Sequence, residues 1–281
     1  MAQESVGWST DLWSRLDQVV HDEVQRTAVA TSFIPVTTAP VTAATVPADV
    51  INDQDMTIDS SAVVSIVELT ISLSLTQQQV NDEDGSGAGA MLATRAANFV
   101  AQVEDLLIFQ GSAAVPTGPL QNVQVVGTVG LGLLAAATHH VVVPTSGAPH
   151  GIYGENTFDA VVNAMTLLRS RGQSGPYALA LSPTVYADTF VPVTGTLVMA
   201  ADQIRPLVAG GFVDAPALPD GSGLLVSLGG NTVDLVVSVE PTMAFTQVDD
   251  QGSSQFRVYE RLALRVKDAM SLVQFEFQNP I

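Results

Sequence analysis

Apolar residues recur at the spacing of one helix face in three segments of the chain. In the first, Ser9 or Thr10 is placed to cap a helix that runs to about residue 30. The second covers residues 88–110, where Gly111 is suited to end the helix, and the third covers residues 158–171. The predicted apolar stripes are Leu12, Leu16, Val19, Val20, Val24 and Ala28 in the first helix, and Leu92, Phe99, Val103 and Leu106 in the second. The second helix also carries small residues that are predicted to allow close packing, namely Ala90, Ala93, Ala97 and Ala101.

Shorter apolar runs that are bounded by glycine, proline and asparagine predict β-strands and short helices. A Gly-Gly-Asn turn at residues 229–231 is predicted to join two of these strands. Because strands and helices follow each other without a repeated β-α-β unit, the sequence predicts an α+β fold. The predicted strands are residues 63–75, 177–181, 223–228, 232–239, 255–267 and 271–277, and the short helices are residues 184–190 and 201–208.

The strand at 255–267 alternates, so its two faces differ in chemistry. One face is apolar except for Glu260, which needs a partner if it is buried. The other face carries four of the ten basic residues of the chain, and in so acidic a protein we expect them to pair with carboxylates. These four residues are Arg257, Arg261, Arg265 and Lys267.

Residues 35–61 are rich in threonine, valine, alanine and proline and show little helical period. Three prolines, Pro35, Pro40 and Pro47, argue against a central strand, so the segment is predicted to be an extended arm or a long hairpin. A segment of this length without a core of its own is unusual inside a compact domain, and we expect it to lie on a neighbouring subunit. The polar residues 77–89 are predicted to form a flexible entry to the second helix, and residues 115–151 to form β-hairpins or a surface loop.

The charge of the chain limits its partners. The 281 residues carry a formal net charge of −18, with a single lysine, so binding to nucleic acid is disfavoured. The absence of cysteine excludes disulfides, zinc–thiolate sites and cysteine nucleophiles. Neither a leader segment nor an apolar run long enough to cross a membrane is recognisable, and we expect a cytoplasmic protein without a membrane partner.

Candidate catalytic chemistry is sparse. The adjacent His139 and His140 would point to opposite faces of a strand, so a weak metal site that includes His150 is one interpretation and solvated histidines are the other. No Gly-x-Ser-x-Gly element is present to mark a serine nucleophile. We therefore expect a protein with no catalytic residue, no metal and no cofactor, which is not itself an enzyme.

Several short motifs occur together in an order that resembles one family. Residues 104–111, with the pattern Glu-Asp-x-x-Ile-Phe-x-Gly, and residues 175–186, with Gly-Pro-Tyr-Ala-Leu, Leu-Ser-Pro and Tyr186, are similar to the encapsulin (linocin-like) family. Trp13-x-x-Leu16-Asp17 and the strands at 256–277 resemble the ends of that family's chain. The resemblance covers most of the chain from Ala88 onward and is weaker before it.

The resemblance implies the Hong Kong 97 phage capsid-like fold, with a peripheral domain, an axial domain and an extended E-loop. The peripheral domain would include a spine helix at 88–110 and a long loop at 115–151. The expected divisions are 1–34 for the N-terminal helix region, 35–66 for the E-loop, 67–174 for the peripheral domain, 175–228 for the axial domain and 229–281 for the C-terminal strands of the peripheral domain.

The resemblance also implies a function. The chain would form an icosahedral homo-oligomeric shell with T=1 that encloses a cargo enzyme, such as a dye-decolourising peroxidase or a ferritin-like protein, through a short targeting peptide. The alternative is the major capsid protein of a phage or prophage. The candidate residues are Leu12, Leu16, Val20 and Val24 for binding cargo, and Pro192, Val193, Thr194, Gly195 and Thr196 for a loop that lines a pore.

Overall fold

The computed structural model describes residues 6–146, 151–192 and 197–278, and the elements below are those of the described residues. The helices are α1 (Thr10–Thr27), α2 (Gln77–Asn81), α3 (Glu83–Ser86), α4 (Ala88–Gln110), α5 (Leu133–Ala136), α6 (Glu155–Ser170), α7 (Pro183–Asp188) and α8 (Ala200–Ile204). The strands are β1 (Val36–Thr38), β2 (Thr45–Pro47), β3 (Val50–Asn52), β4 (Thr57–Asp59), β5 (Val63–Ser65), β6 (Val67–Leu75), β7 (Gln124–Val126), β8 (His139–Val143), β9 (Tyr177–Leu181), β10 (Gly211–Asp214), β11 (Ser222–Ser227), β12 (Val233–Val248), β13 (Ser254–Val266) and β14 (Leu272–Phe277).

The first five-stranded sheet has the order β1-β12-β13-β6-β7 and is built around the long antiparallel pair β12 and β13. Helix α1 packs on β12, and α4 packs on β6, β13 and α1. Alternation along β13 buries every second residue from Ser254 to Leu262, including Phe256 and Val258, as the sequence predicts, but Leu264 and Val266 are only partly buried. The Trp8 ring stacks on Phe256 and meets Trp13 edge-on, so the start of the chain is fixed to this core.

The second five-stranded sheet has the order β10-β9-β11-β14-β8. Its central strands β9 and β11 are buried along their whole length, which explains why the sequence of β9 is almost wholly apolar. Helix α6 contacts β8, β11 and α8 on this sheet. These elements enclose a separate hydrophobic cluster that includes Leu168, Leu179 and Phe275.

The predicted arm is a long hairpin. Strands β2 and β5 pair antiparallel at its base, and β3 and β4 pair antiparallel nearer its end. Strand β1, at the start of the predicted arm, departs from that prediction: it belongs to the first sheet, where its three residues lie at the edge, consistent with the prolines around it. The outer pair exposes large apolar side chains, with 85% of Met56 and 65% of Ile58 accessible.

Helix α4 has the predicted bounds, and its predicted stripe is buried only in part. Val103 is fully buried, whereas Leu92 is exposed. The small residues Ala93, Ala97 and Ala101 are fully buried, as predicted for close packing, and α1 packs on this helix. Helix α1 begins at the predicted cap, where the Ser9 side chain accepts a hydrogen bond from the Leu12 N–H, and ends three residues earlier than predicted.

Three segments have a structure that differs from the prediction. In two of them, the structure depends on which distant strands pair with each other. The described part of residues 115–151, namely 115–146 and 151, contributes strands to both sheets instead of forming hairpins or a surface loop, since β7 pairs with β6 and β8 pairs in parallel with β14. The polar residues 77–89 form α2 and α3, the first closed by a capping box at Thr76 and Gln79. The turn at 229–231 does not join a hairpin, because β11 and β12 belong to different sheets.

The expected domain divisions remain a prediction. Two of the expected segments contribute strands to both five-stranded sheets. The segment 229–281 was expected to belong to one domain. It contributes β12 and β13 to the first sheet and β14 to the second, beside β11. The segment 67–174 likewise gives β6 and β7 to the first sheet and β8 to the second.

Candidate functional site

A groove lies between the C-terminal half of α1 and the strands β1 and β12. Its volume is about 400 Å³. Its walls are mostly apolar, and its floor is formed by two carboxyl side chains from α4 and β13. The lining residues are His21, Val24, Gln25, Thr31, Ser32, Val36, Thr38, Glu104, Leu235, Val237, Glu240, Pro241 and Glu260.

The walls of the groove are held by hydrogen bonds from distant parts of the chain. Asp105 accepts the N–H groups of Val29 and Ala30 at 2.8 Å each, and so fixes the turn by which the chain leaves α1. Strand β1 then pairs in parallel with β12, Val36 opposite Leu235. This pairing closes one side of the groove.

A register shift in β12 shapes the opposite wall. The pairing of β12 with β13 is irregular between Val237 and Thr242, where Glu240 and Pro241 face the groove. Asp17 of α1 accepts hydrogen bonds from the Met243 N–H at 2.9 Å and from the Thr242 hydroxyl at 2.7 Å. Helix α1 is thereby fixed to the strand just beyond the irregular segment.

The four residues predicted to bind cargo are all buried in the chain's own core. Leu16 and Val20 are wholly inaccessible, and Leu12 and Val24 are 7% and 6% exposed. Only Val24 also lines the groove. A direct contact of these side chains with cargo stays a prediction, and their position in the core shows that they fix α1 on α4 and β12. Replacing Leu16 or Val20 by aspartate would therefore test folding rather than binding.

The other groove residues were not predicted, and the reason is distance along the chain. Val36 and Val237 reach the groove only because β1 pairs with β12, across about two hundred residues. The prolines near β1 indicate an edge position, which is a weak signal for such a site. The sequence alone does not specify which strand an edge strand joins.

The two buried carboxyl groups at the floor of the groove, Glu104 and Glu260, lie near a third buried carboxyl group, Asp105. Burial and the charges of Glu260 and Asp105 raise the pKa of Glu104 well above its usual range. Burial, together with the charge of Asp105, raises the pKa of Glu260 to about 8. Burial raises the pKa of Asp105 to about 6, although the N–H groups of Ala30 and Val29 oppose this shift. The predicted need of Glu260 for a partner is not met, because its Oε1 atom has none among the described residues.

The basic face of β13 attaches the arm to the first sheet. As predicted, three of its four basic residues pair with carboxylates: Arg257 with Glu68 at 2.9 Å, Lys267 with Asp234 at 3.0 Å, and Arg265 with Asp234 at 2.6 Å and Asp49 at 2.7 Å. Arg261 departs from the prediction and donates instead to the carbonyl oxygens of Val41 and Ala43. Since Val41, Ala43 and Asp49 belong to the arm, two arginines hold its base.

The predicted pore loop lies mostly outside the described residues. Of its five residues, Val193, Thr194, Gly195 and Thr196 are outside, and Pro192 forms an isolated bridge with Met199. The role of this loop stays a prediction. Of the proposed histidine site, His150 is also outside the described residues, and His139 lies 3.0 Å from Arg171 Nη1.

Two features of the described residues concern metal binding and membrane-spanning helices. In residues 6–146, 151–192 and 197–278, no group of three or more histidine, aspartate and glutamate side chains is arranged to hold a metal ion. Within the same residues, no helix has both the length and the apolar character needed to cross a bilayer.

An apolar groove of about 480 Å³ runs beside the base of the arm. It is lined by β5, the last turn of α4, residues 128–131 and the end of β13, and includes Val63, Leu107 and Leu264. Part of this surface is openly accessible, with 63% of Val63 and 65% of Leu131 exposed. The chain therefore presents exposed apolar side chains on the arm and an apolar groove beside the base of the arm.

Comparison with known proteins decides the family. The family model Linocin_M18, described as encapsulating protein for peroxidase, matches residues 2–263. The chain belongs to the encapsulin family. Among its relatives is the type 1 encapsulin shell protein EncA of Myxococcus xanthus, which is 32% identical over 184 residues, 66% of this chain and 58% of that protein. The matched part thus spans less than two thirds of the length of this relative.

Solved structures show the fold. The virus-like particle protein of Pyrococcus furiosus matches with a TM-score of 0.73 and 17% identity, over 95% of this chain and 100% of that one. The capsid protein of Myoviridae phage XM1 matches with a TM-score of 0.59 and 12% identity, over 90% and 92% of the two chains. The predicted family and the predicted capsid-like fold of the Hong Kong 97 type are therefore confirmed.

Proposed function

We propose that this chain assembles with copies of itself into a closed icosahedral shell with T=1, located in the cytoplasm, which encloses a cargo enzyme and is not itself an enzyme. Membership of a family of shell proteins and the capsid-like fold support this proposal. The observation that carries it is the arm, a long hairpin that places apolar side chains in solvent with no core of its own.

A second copy of the chain is the molecule best suited to cover the exposed end of the arm. The base of the arm is bound to its own sheet by Arg261 and Arg265, so the outer strands project as a fixed element. Met56 and Ile58 on that element gain from burial at roughly 25 cal/mol per Å² of apolar surface, which only a neighbouring molecule supplies. The apolar groove at Val63, Leu107 and Leu131 offers an acceptor surface of the same chemistry.

We infer that the groove beside α1 receives the targeting peptide of the cargo. It has a volume of about 400 Å³, includes apolar side chains in its walls, and borders the edge strand β1. Such a combination suits an extended segment that inserts apolar side chains between a helix and a sheet edge. The family description names peroxidase as the enclosed protein, and a dye-decolourising peroxidase or a ferritin-like protein is the cargo we propose.

The alternative is a major capsid protein of a phage or prophage, because phage capsids share this fold. The charge of −18 argues against it, since a shell with so few basic residues would repel enclosed nucleic acid. Fold similarity is also greater to the Pyrococcus particle than to the phage capsid.

Electron microscopy of the chain expressed alone, together with the ratio of absorbance at 260 and 280 nm, tests shell formation. We expect closed particles of uniform size with the absorbance ratio of protein. Particles filled with nucleic acid would support the capsid alternative. Small species alone, at both low and high salt, would contradict the proposal.

A substitution in the groove tests cargo capture. Val36→Asp places a charge in the wall at a side chain that is 51% exposed, so we expect intact particles that lose their cargo. The measurement is mass spectrometry of particles isolated from the organism that encodes the chain. Val126→Asp is the matched control, because Val126 is 56% exposed at the opposite edge of the same sheet. Cargo retained by Val36→Asp particles would exclude the groove as the capture site.

A further inference from the structure

The floor of the groove contains an unusual pair of carboxyl groups. Glu104 of α4 and Glu260 of β13 are 2% and 3% exposed, and both line the groove. Glu104 Oε2 and Glu260 Oε1 are buried without a hydrogen-bond partner in the described parts of the chain. Unpaired buried carboxyl oxygens are costly, so a pair of them in one place calls for an explanation.

The other buried carboxylates show that this chain ordinarily supplies partners. Each of the six accepts at least one hydrogen bond from a side chain or from backbone N–H groups. For example, Asp234 accepts from Arg265, and Glu83 accepts the N–H of Gly89. The six are Glu23, Glu83, Asp105, Asp188, Asp234 and Asp268.

The residues that line the groove provide no arginine or lysine to balance the charge of this pair. A third acid, Glu240, is exposed at the rim. His21 is the one lining side chain that is able to become cationic. The groove is therefore acidic at its floor and apolar along Val24, Val36 and Val237.

We propose that Glu104 and Glu260 bind the ammonium or guanidinium group of a lysine or arginine side chain on the cargo segment, while the apolar walls hold its neighbouring side chains. This inference rests on the proposed capture of cargo in the groove. A basic side chain has an apolar stem that suits the walls and a charged end that meets the floor. Binding would supply the missing partners of both carboxyl groups.

The chemistry of the pair is consistent with a site that is neutral when empty. Burial and the neighbouring charges favour the protonated carboxyl groups in the empty groove. A cation beside them favours the ionised form, so binding would release a proton to solvent. A metal ion suits the floor less well, because no group of three ligand side chains is found among the described residues.

The test uses the full chain co-expressed with a fluorescent protein that ends in a short random segment. Particles are purified, and the segments of the enclosed protein are sequenced. We expect enrichment of lysine or arginine at a fixed distance from apolar residues. The double variant Glu104→Gln and Glu260→Gln keeps the shape of the floor and should reduce the basic enrichment about ten-fold or more, while selection for apolar residues remains.

The control removes two charges from the exposed face of α1, with Asp11→Asn and Asp22→Asn, and should leave the basic enrichment unchanged. If the double glutamine variant does not form particles, Glu260→Gln alone should give a partial loss. Apolar selection without basic enrichment, or enrichment that the glutamine variants retain, would overturn this inference but leave the proposed cargo groove intact. Capture of no segment at all by the unaltered chain would overturn both.

Discussion

Buried ionisable side chains in this protein behave differently according to what surrounds them. Asp234 is wholly buried, and although burial raises its pKa, hydrogen bonds and charge from Arg265 and Lys267 hold the pKa below its ordinary value. Because Arg265 also contacts Asp49, this one network connects the sheet to the base of the arm. Glu104 and Glu260 lack such partners, so burial raises their pKa values instead, aided by the charge of Asp105 for both and by that of Glu260 for Glu104.

The pH dependence of stability follows from the raised pKa of Glu260. Its pKa rises from an ordinary value of 4.5 to about 8 in the folded chain, so the folded state binds the proton more tightly than the unfolded state. The contribution of this group to stability is fully present below about pH 4.5 and is lost as the pH rises towards 8. Glu260→Gln removes the part of the pH dependence that comes from this group, while Glu104 and Asp105 still titrate, and should stabilise the chain above pH 8 by on the order of a few kcal/mol.

This prediction is checked by urea unfolding at several pH values, followed by the fluorescence of Trp8 and Trp13, which pack in the same core. Glu276→Gln serves as the control, because Glu276 is exposed on β14 and its curve should parallel that of the unaltered chain. Parallel curves for Glu260→Gln and the unaltered chain would contradict the assignment of this group.

At the scale of elements, the C-terminal end of α4 depends on two glycines. Gly111 ends the helix with φ of +61°, and it lies against Gly132 so closely that a Cβ atom added to Gly111 would stand 2.0 Å from the Gly132 nitrogen. This contact sets the position of residues 130–132, which lead into α5 and then β8. The end of α4 therefore positions an edge strand of the second sheet.

Gly111→Ala should destabilise the chain by more than about 4 kcal/mol, because the backbone of residues 130–132 has to move away. Gly118→Ala is the matched control. Its φ of +56° is similar, but nothing lies within 4 Å of the added atom, so we expect a loss of only about 1–2 kcal/mol. The yield of folded chain and urea unfolding measure the loss of stability in each of the two variants. Equal effects of the two substitutions would show that the close contact is unimportant.

At the scale of the whole molecule, the arm connects folding to assembly. Its base is held by arginine side chains of β13, and its outer strands carry apolar groups that the chain itself does not cover. The fold of one copy is therefore complete without the arm tip, whereas a stable contact between copies is expected to require it. Substitutions at the tip are therefore expected to prevent assembly without preventing folding of the single chain.

Ile58→Asp should leave the single chain folded, because Ile58 is 65% exposed, and should prevent closed particles from forming. A carboxylate that is buried unpaired at a contact between copies costs on the order of several kcal/mol, and a closed shell repeats that contact in every copy. Circular dichroism measures folding, and sedimentation measures assembly. Ile58→Val is the control and should assemble, while normal particles from Ile58→Asp would show that the tip is not an interface.

The sequence by itself determined those features that depend on local spacing. The bounds of α4 and β9, the cap of α1, the alternation of β13 and the extended character of the arm all follow from residues close together in the chain. Periodicity reports that one face of an element is buried, and caps and prolines report where the backbone pattern must change. These signals were enough to indicate an α+β fold.

Only the tertiary structure decided what each buried face packs against. It joined β7 and β8 to different sheets, left Leu92 of α4 exposed, and placed the predicted cargo stripe of α1 in the core. It also brought Glu104 and Glu260 together at the floor of a groove whose other wall is β1. Pairing and packing depend on shape and charge across the whole molecule, and the spacing of residues along one segment does not encode them.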